Sequence, residues 1–362
     1  MSTFNLDNIL SQFVIEGKVE SVKPLGNGLI NDTFRVVTEG DAPDYVLQRI
    51  NNNIFTDVDL LQHNIEAVTG HIRRKLEAAG ADDIDRKVLR FVATQQGKTY
   101  YLDNEGRYWR VSVFIPDAVT YEQVDPTSSR NAGKAFGEFE SMLVDLPEQL
   151  GETIPDFHNM ELRARQLQEA IEQDKAGRVA GVADIIADLQ KDMHEMCKAE
   201  RLFREGKLPK RICHCDTKVN NMMYDKQGNV LCVIDLDTVM PSFVFSDYGD
   251  FLRTGANFVA EDDPKIENVG FNQDIFRAFT EGYIESARSF LTPVEVENLP
   301  YAVALFPFMQ CVRFFADYLN GDTYYKIAYP EHNLVRTRNQ QALYHRVTDN
   351  FDMLDNFIRT LI

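Results

Sequence analysis

The sequence predicts an α+β fold in two parts, a small sheet-rich lobe over residues 1–115 and a larger helical lobe over residues 116–362. Three observations carry this. The first hundred or so residues are built of β-branched and aromatic runs separated by Gly/Asn turns. Most of the remainder repeats large apolar residues at helical spacing. One short β island, dense in polar residues, interrupts the helical part. At 362 residues the chain is long enough for about two hydrophobic cores.

Taken in order, "SVKPLGNGLINDTFRVVTEG" predicts two strands joined by a Gly/Asn turn, and "DYVLQRI" a third. Between Asp57 and Ala79 the apolar residues Leu61, Ile65, Val68, Ile72 and Leu76 recur at spacings of three and four, the pattern of an amphipathic helix, with Gly80 as its C-terminal stop. "KVLRFVAT", "KTYYLD" and "YWRVSVFI" read as further strands, giving a sheet of about five with one main helix. Pro116-Asp117 breaks the pattern. Helical spacing then runs through 129–146, 159–174, 179–203, 272–290, 301–320 and 334–361. The β island consists of "RICHCD", "NNMMYD", a "DKQGN" turn and "NVLCVIDLD".

A formal charge of -18 argues against a nucleic-acid partner, because phosphate backbones are held by clustered Lys and Arg. The N-terminus lacks the basic start and apolar core of a signal peptide. No apolar run comes near the length of about 18 residues that spans a bilayer, so no membrane partner is expected. The five cysteines form no CxxC pair, which fits free thiols in a reducing cytoplasm. Cys213, His214 and Cys215 do not suggest zinc: alternate residues of a strand face opposite sides, so His214 points away from both thiols.

The chemistry concentrates in "HCDTKVNN" (214–221) and the "DLD" beginning at Asp235. A strand ending at Asp216 would deliver His214 and Asp216 to its exit; Asn221 would open the next strand, and Asp235 end the one after. Phosphoryl transfer asks a protein mainly to place a hard cation on oxygen ligands and to orient the attacking hydroxyl. Asn221 and Asp235 suit the metal, and Asp216 suits the proton of the attacking hydroxyl. His, Asp and Asn stand at the offsets of the protein-kinase H-R-D-x-x-x-x-N loop, and Lys218 could neutralise charge on the transferred phosphate. Taken singly, these residues could equally be turn and cap positions of a hairpin. Asp237 lies on the same face as Asp235 and reads as substrate-facing or as turn chemistry.

Upstream, Gly26 and Gly28 in "PLGNGLINDTF" would let backbone N–H groups approach phosphate oxygens, although Gly-Asn-Gly also makes an ordinary hairpin. Downstream, Arg313, Asp317 and Tyr324 supply aromatic and hydrogen-bonding groups of the kind a sugar needs. Arg313 and Asp317 are also spaced for a helix-surface ion pair. Asp247 and Asp250 in "DYGDFLRTG" are candidates to brace the catalytic loop, or to cap a helix.

The chain resembles the aminoglycoside phosphotransferase and choline kinase superfamily, which shares the protein-kinase fold, and within it the N-acetylhexosamine 1-kinases. The resemblance rests on "GNGLINDTF", "YVLQRIN", "HCDTKVNNMMYD", "CVIDLDTVMP", "DYGDFLRTGAN" and "RFFADYLNGDTYYKIAYPEHNLVRTRNQ", and covers nearly the whole chain. It implies an ATP- and Mg²⁺-dependent enzyme that phosphorylates the anomeric hydroxyl of the amino sugars GlcNAc or GalNAc. It implies Asp216 as catalytic base, Asn221 and Asp235 as metal ligands, and Gly26, Asn27, Gly28 and Asn31 around the phosphates. The 112–116 segment corresponds to the hinge, with Val113 and Ile115 at the adenine. The chain departs from the pattern at the strand lysine, where "VLQRI" offers Gln48 or Arg49 on opposite faces: Arg49 keeps the charge, Gln48 keeps the position after the leucine. The helix acid is also absent, Glu66 being the nearest candidate.

Overall fold

The structure, a computed structural model, describes residues 4–26 and 31–362. It divides into two compact units. The first gathers residues up to Val119 with Asp145–Pro155 and Met223–Met240; the second gathers Thr120–Val144, Asp156–Met222 and Pro241–Ile362. The sequence boundary between residues 115 and 116 thus falls beside the first break, while two later segments assigned by sequence to the second lobe cluster with the first.

Along the chain the first unit opens with α1 (Leu6–Leu10), β1 (Val19–Pro24), β2 (Asp32–Thr38), β3 (Tyr45–Ile50), α2 (Val58–Ala78), α3 (Ile84–Lys87), β4 (Tyr101–Leu102) and β5 (Tyr108–Val113). The five strands form one antiparallel sheet in the order β1-β2-β3-β5-β4. Its core is the period-two set Val36, Tyr45, Leu47, Trp109 and Val111, closed by Ile9, Leu10 and Phe13 of the N-terminal segment. Helix α2 begins at an Asp57 cap, whose side chain accepts from the Leu60 N–H, and stops where Gly80 takes a φ of +67°. The predicted strand "KVLRFVAT" (87–94) does not form: its first residue ends α3, and the rest makes only isolated bridges, from Phe91 to Ser112 and from Phe13 to Thr94. Its apolar residues still pack inward, but too few consecutive pairs form for a ladder.

Side chains explain why the later segments join this unit. From α2, the Asn64 amide donates to the carbonyls of Gly151 (2.8 Å) and Val239 (2.9 Å), and Thr153 donates to the Asp237 carbonyl (2.9 Å).

The second unit starts with α4 (Pro126–Leu143), α5 (Met160–Gln173), α6 (Ala183–Met196) and α7 (Lys198–Arg204). Cys197 separates α6 from α7, so the single helix expected over 179–203 is two. Strand β6 (Arg211–Cys213) leads to a 3₁₀ turn at Val219–Asn221; β7 (Met222–Tyr224) and β8 (Val230–Val233) form the hairpin read from sequence, which from Met223 on belongs to the first unit, and β9 (Met240–Ser242) pairs with β6. There follow α8 (Phe245–Gly255), α9 (Gln273–Ala287), α10 (Pro293–Glu297), α11 (Leu299–Leu319), α12 (His332–Thr348) and α13 (Phe351–Thr360). The helix expected over 334–361 breaks between Thr348 and Phe351.

Helix α8 is not among the helical segments read from the sequence, where Asp247 and Asp250 stood only as loop braces or helix caps. Gly249 is there for packing: a Cβ at this position would lie 2.5 Å from the Ala302 carbonyl oxygen, so only glycine lets α8 close on α11. Helix α11 corrects a second expectation. Among the described residues it is the one helix long and apolar enough to cross a membrane, but 89% of its apolar window is buried inside the protein, where it serves as the central core helix.

Candidate active site

The "HCDTKVNN" segment leaves β6 at Cys213, three residues before Asp216, and not at Asp216 as expected. Cys215 takes a φ of +62° and turns the chain out of the strand. A non-glycine residue in this region costs roughly 1–3 kcal/mol and persists only where its surroundings hold it. Here the holder is Asp247 in the first turn of α8. Its two carboxylate oxygens accept the backbone N–H groups of His214 and Cys215, both at 2.8 Å, and its own carbonyl accepts the Thr217 hydroxyl at 2.9 Å. The His214 ring is fully buried, edge-on to Phe136 and Phe139, and its Nδ1 accepts the Asp216 N–H at 3.2 Å. Of the two bracing candidates, Asp247 therefore braces the loop.

The loop brings three of the predicted site residues, Asp216, Lys218 and Asn221, together. Lys218 Nζ lies 2.8 and 3.0 Å from the two Asp216 carboxylate oxygens. The Asn221 amide nitrogen donates to the Asp216 carbonyl at 2.8 Å and its carboxylate at 3.3 Å. With Nδ2 spent inward, Asn221 presents Oδ1 as an oxygen donor. Burial works against the Lys218 charge, but the Asp216 carboxylate outweighs it and holds the ammonium above its usual range. Asp235 follows β8 in a left-handed conformation with φ +59°. Asp250 would be raised by burial, yet the charges of Arg253 and Lys218 keep it below the usual carboxylate range; Arg253 pairs with it at 3.0 Å and with Glu261 at 2.7 Å.

Near these groups the same unit carries a cationic and aromatic surface. Arg313 lies over the rings of Phe157 (5.2 Å) and Tyr325 (5.8 Å), and its one side-chain partner is Gln310. Arg163, which sequence reasoning missed, donates to the Phe157 carbonyl at 2.7 Å and is lowered to about 10 by burial and by the charge of Arg313. Neither guanidinium has a carboxylate partner at ion-pair distance among the described residues. Tyr324 is two-thirds exposed, beside Tyr325. Asp317 is different. It makes no ion pair with Arg313; its carboxylate accepts the backbone N–H groups of Thr323, Tyr324 and Tyr325 and the Asn333 amide. That saturates it, so the role it fills is anchoring the 320–325 turn. An open cavity of about 500 Å³ lined by Asp262, Asp263, Tyr329 and His332 includes none of the catalytic-loop residues.

In the first unit Gly26 takes φ +69°, the conformation that favours glycine; the expectations for Asn27 and Gly28 lie outside the described residues. Asn31 is held at both ends of its amide, donating to Asp237 at 2.7 Å and accepting the Asn51 N–H at 2.9 Å, so it ties the start of β2 to the segments around it. The two β3 candidates face opposite sides of the sheet. Arg49 turns to Asp32 (2.6 Å) and sits 5.6 Å from the Phe4 ring, while Gln48 faces α2 and stands opposite Arg110 of β5. The Glu66 carboxylate accepts the Thr99 hydroxyl, and Gln62 is the α2 residue that reaches the same group as Gln48. At the hinge the Val113 N–H is taken by the Arg90 carbonyl at 2.9 Å; the N–H of Ile115 has no protein partner among the described residues.

The cysteines offer no thiolate. Burial drives Cys213 and Cys215 well above the ordinary thiol range and Cys232 to about 12, so these thiols keep their protons.

Comparison with known proteins gives the family and the fold. A family model described as the phosphotransferase enzyme family matches residues 21–283. Among solved structures, an aminoglycoside phosphotransferase from Alicyclobacillus acidocaldarius superposes with a TM-score of 0.64 at 13% identity, covering 98% of each chain. The GDP complex of aminoglycoside 2'-phosphotransferase-IIIa gives 0.58 at 13% identity, covering 97% of this chain and 100% of the other. An ethanolamine kinase from Plasmodium vivax gives 0.53 at 14% identity, with 90% and 83% covered. At such identities the likeness establishes the fold, a protein-kinase-like α+β architecture with an antiparallel sheet followed by a helical part.

Proposed function

The chain belongs to the phosphotransferase enzyme family, and from that premise we propose that it transfers the γ-phosphoryl group of ATP to the anomeric 1-hydroxyl of an N-acetylhexosamine, GlcNAc or GalNAc. The observation that carries the reading is the Asp216 carboxylate, held between Lys218 and Asn221 on a loop whose strained turn is pinned by Asp247. A carboxylate fixed in this way takes the proton of the acceptor hydroxyl as the bond to phosphorus forms. An anomeric hydroxyl, acidified by the neighbouring ring oxygen, suits a single carboxylate base. Lys218 sits where it can meet charge on the transferred group.

Asn221 and Asp235 would hold Mg²⁺. Their oxygen donors fit a hard cation, and the inward bond of the Asn221 amide nitrogen leaves its oxygen for that purpose. The ion, when bound, supplies charge neutralisation on the phosphates. Gly26 supports close backbone approach to the phosphates, and the Ile115 N–H supports an adenine contact.

Arg313 and Arg163 favour a sugar over the cationic acceptors of the related enzymes, since two unpaired guanidiniums repel a polyamine and donate well to hydroxyl and carbonyl oxygens. The reading is tested by ADP release from Mg·ATP with GlcNAc, GalNAc, glucose, galactose, ethanolamine and an aminoglycoside, with phosphorus NMR of the product. A 1-phosphate from the N-acetyl sugars alone is the expected result. Turnover of a different acceptor leaves the phosphotransferase and overturns the sugar; no turnover with any acceptor counts against the assignment.

A further inference from the structure

A nucleotide triphosphate is a polyanion, and β3 supplies no cation on the face that Gln48 occupies. Among the described residues of the first unit, one Lys or Arg is fully buried: Arg110, 3% exposed, directly opposite Gln48 in the β3–β5 register. Its Nε donates to Gln48 Oε1 at 3.0 Å, and Nη1 donates to Gln62 Oε1 of α2 at 3.3 Å and lies 2.6 Å from Asp237 Oδ1. The Nη2 group has no protein partner among the described residues. Glutamines at 48 and 62 orient the guanidinium without cancelling its charge, so a single carboxylate faces it. Burying an ion pair is expensive and seldom contributes net stability, and a pair kept under these terms calls for another use. The Asp237 carboxylate is also bonded by Asn31, the residue just before β2. One network thus joins Asn31, β3, α2, β5 and the acidic segment after β8.

We propose that Arg110 is the cation that grips the nucleotide phosphates through its Nη2 group, taking over from β5 the work of a β3 lysine. The Gln48–Arg110–Gln62 arrangement replaces a lysine–glutamate pair, and the bond to Asp237 couples the phosphate grip to the segment that carries Asp235. This rests on the kinase reading above.

The test is binding of Mg·ATP, ADP and adenosine by calorimetry to the wild-type chain and to R110M, R110K and D216N, with thermal melts as a check of folding. A charge-assisted contact of this kind predicts that R110M loses about ten- to a hundredfold in affinity for ATP and ADP. Adenosine binding is retained, R110K recovers part of the loss, and D216N binds ATP like the wild type. Should R110M fail to fold, the R110M/D237N pair removes both buried charges together, and R110K still reports the geometry. Equal ATP affinity in R110M, or equal loss for adenosine and ATP, overturns the assignment and leaves the kinase standing. Absence of ATP binding by the wild-type chain overturns both.

Discussion

The carboxyl groups of Glu140, on α4, and Asp247, on α8, lie within 4.8 Å of each other in a fully buried pocket beneath the catalytic loop. Two buried carboxylates at this distance cannot both be ionised. Asp247 holds two backbone N–H groups and keeps the charge; burial, and then the charge of Asp247, push Glu140 well above the ordinary carboxylate range, so it carries the proton and donates toward Asp247. The Tyr283 hydroxyl donates to its other oxygen.

This gives a pH dependence with a definite sign. The folded state binds a proton at Glu140 that the unfolded chain releases above its ordinary value, so the associated stability is present at low pH and is lost as pH rises toward the folded-state value. E140Q keeps a donor without the titration. Its melting temperature should fall less than that of the wild type between pH 6 and pH 9. Parallel melting curves for the two proteins would refute the protonated Glu140.

Asp247→Asn leaves one oxygen where two are needed. One of the His214 and Cys215 N–H groups is then orphaned in a dry interior, at about 1–3 kcal/mol, and the left-handed turn at Cys215 loses its restraint. The expected result is a lower urea midpoint and a fall in kcat of about tenfold or more, with KM for ATP little changed. A variant with wild-type kcat would show that the turn holds itself.

How much of this was legible in the sequence depends on how far apart the partners are. The strands β1 to β3, helix α2 and the β7–β8 hairpin follow from local periodicity and turn chemistry, and Asp216, Lys218 and Asn221 lie within one loop whose spacing carries its own meaning. Asn31 and Asp317 read as ligand contacts because their chemistry suits one; only tertiary structure reveals that Asp317 already accepts three backbone N–H groups and an amide, and that Asn31 is tied at both ends of its side chain. Arg110 and Asp237 are separated by more than a hundred residues, as are Glu140 and Asp247. No local pattern announces such pairs. The close packing of Gly249 against α11 is likewise visible only in three dimensions.

His158 supplies a second pH effect of opposite direction. Burial pushes its imidazole down to about 3, so it is neutral in the folded protein, against Phe306 and 3.0 Å from the Ser246 hydroxyl. The unfolded chain binds a proton there near pH 6.5. Folding must expel it, so stability declines as pH falls below that value, by at most about 1.4 kcal/mol per pH unit. H158Q should show a flatter loss of urea midpoint between pH 6.5 and pH 4.5. An unchanged slope would mean that other groups govern the acid limb.

Asp317 and Arg313 differ in how they are held, although the two lie four residues apart on α11, and the proposed acceptor contact falls on Arg313 alone. Asp317 accepts three backbone N–H groups and the Asn333 amide, and its removal orphans all of them. Asp317→Ala should therefore lower the melting temperature by several degrees and expose the 320–331 segment to proteolysis. Arg313 rests on Phe157 and Tyr325 with no carboxylate to lose, so Arg313→Ala should leave the melting temperature within about a degree or two. Its expected effect is on the acceptor: a rise in KM of about tenfold for the sugar, with KM for ATP unchanged. Melting curves and two-substrate kinetics on the pair decide the matter. If Arg313→Ala melts early while acceptor KM holds, the guanidinium is packing and the sugar contact belongs elsewhere; if Asp317→Ala is stable but loses the acceptor, the anchoring role fails.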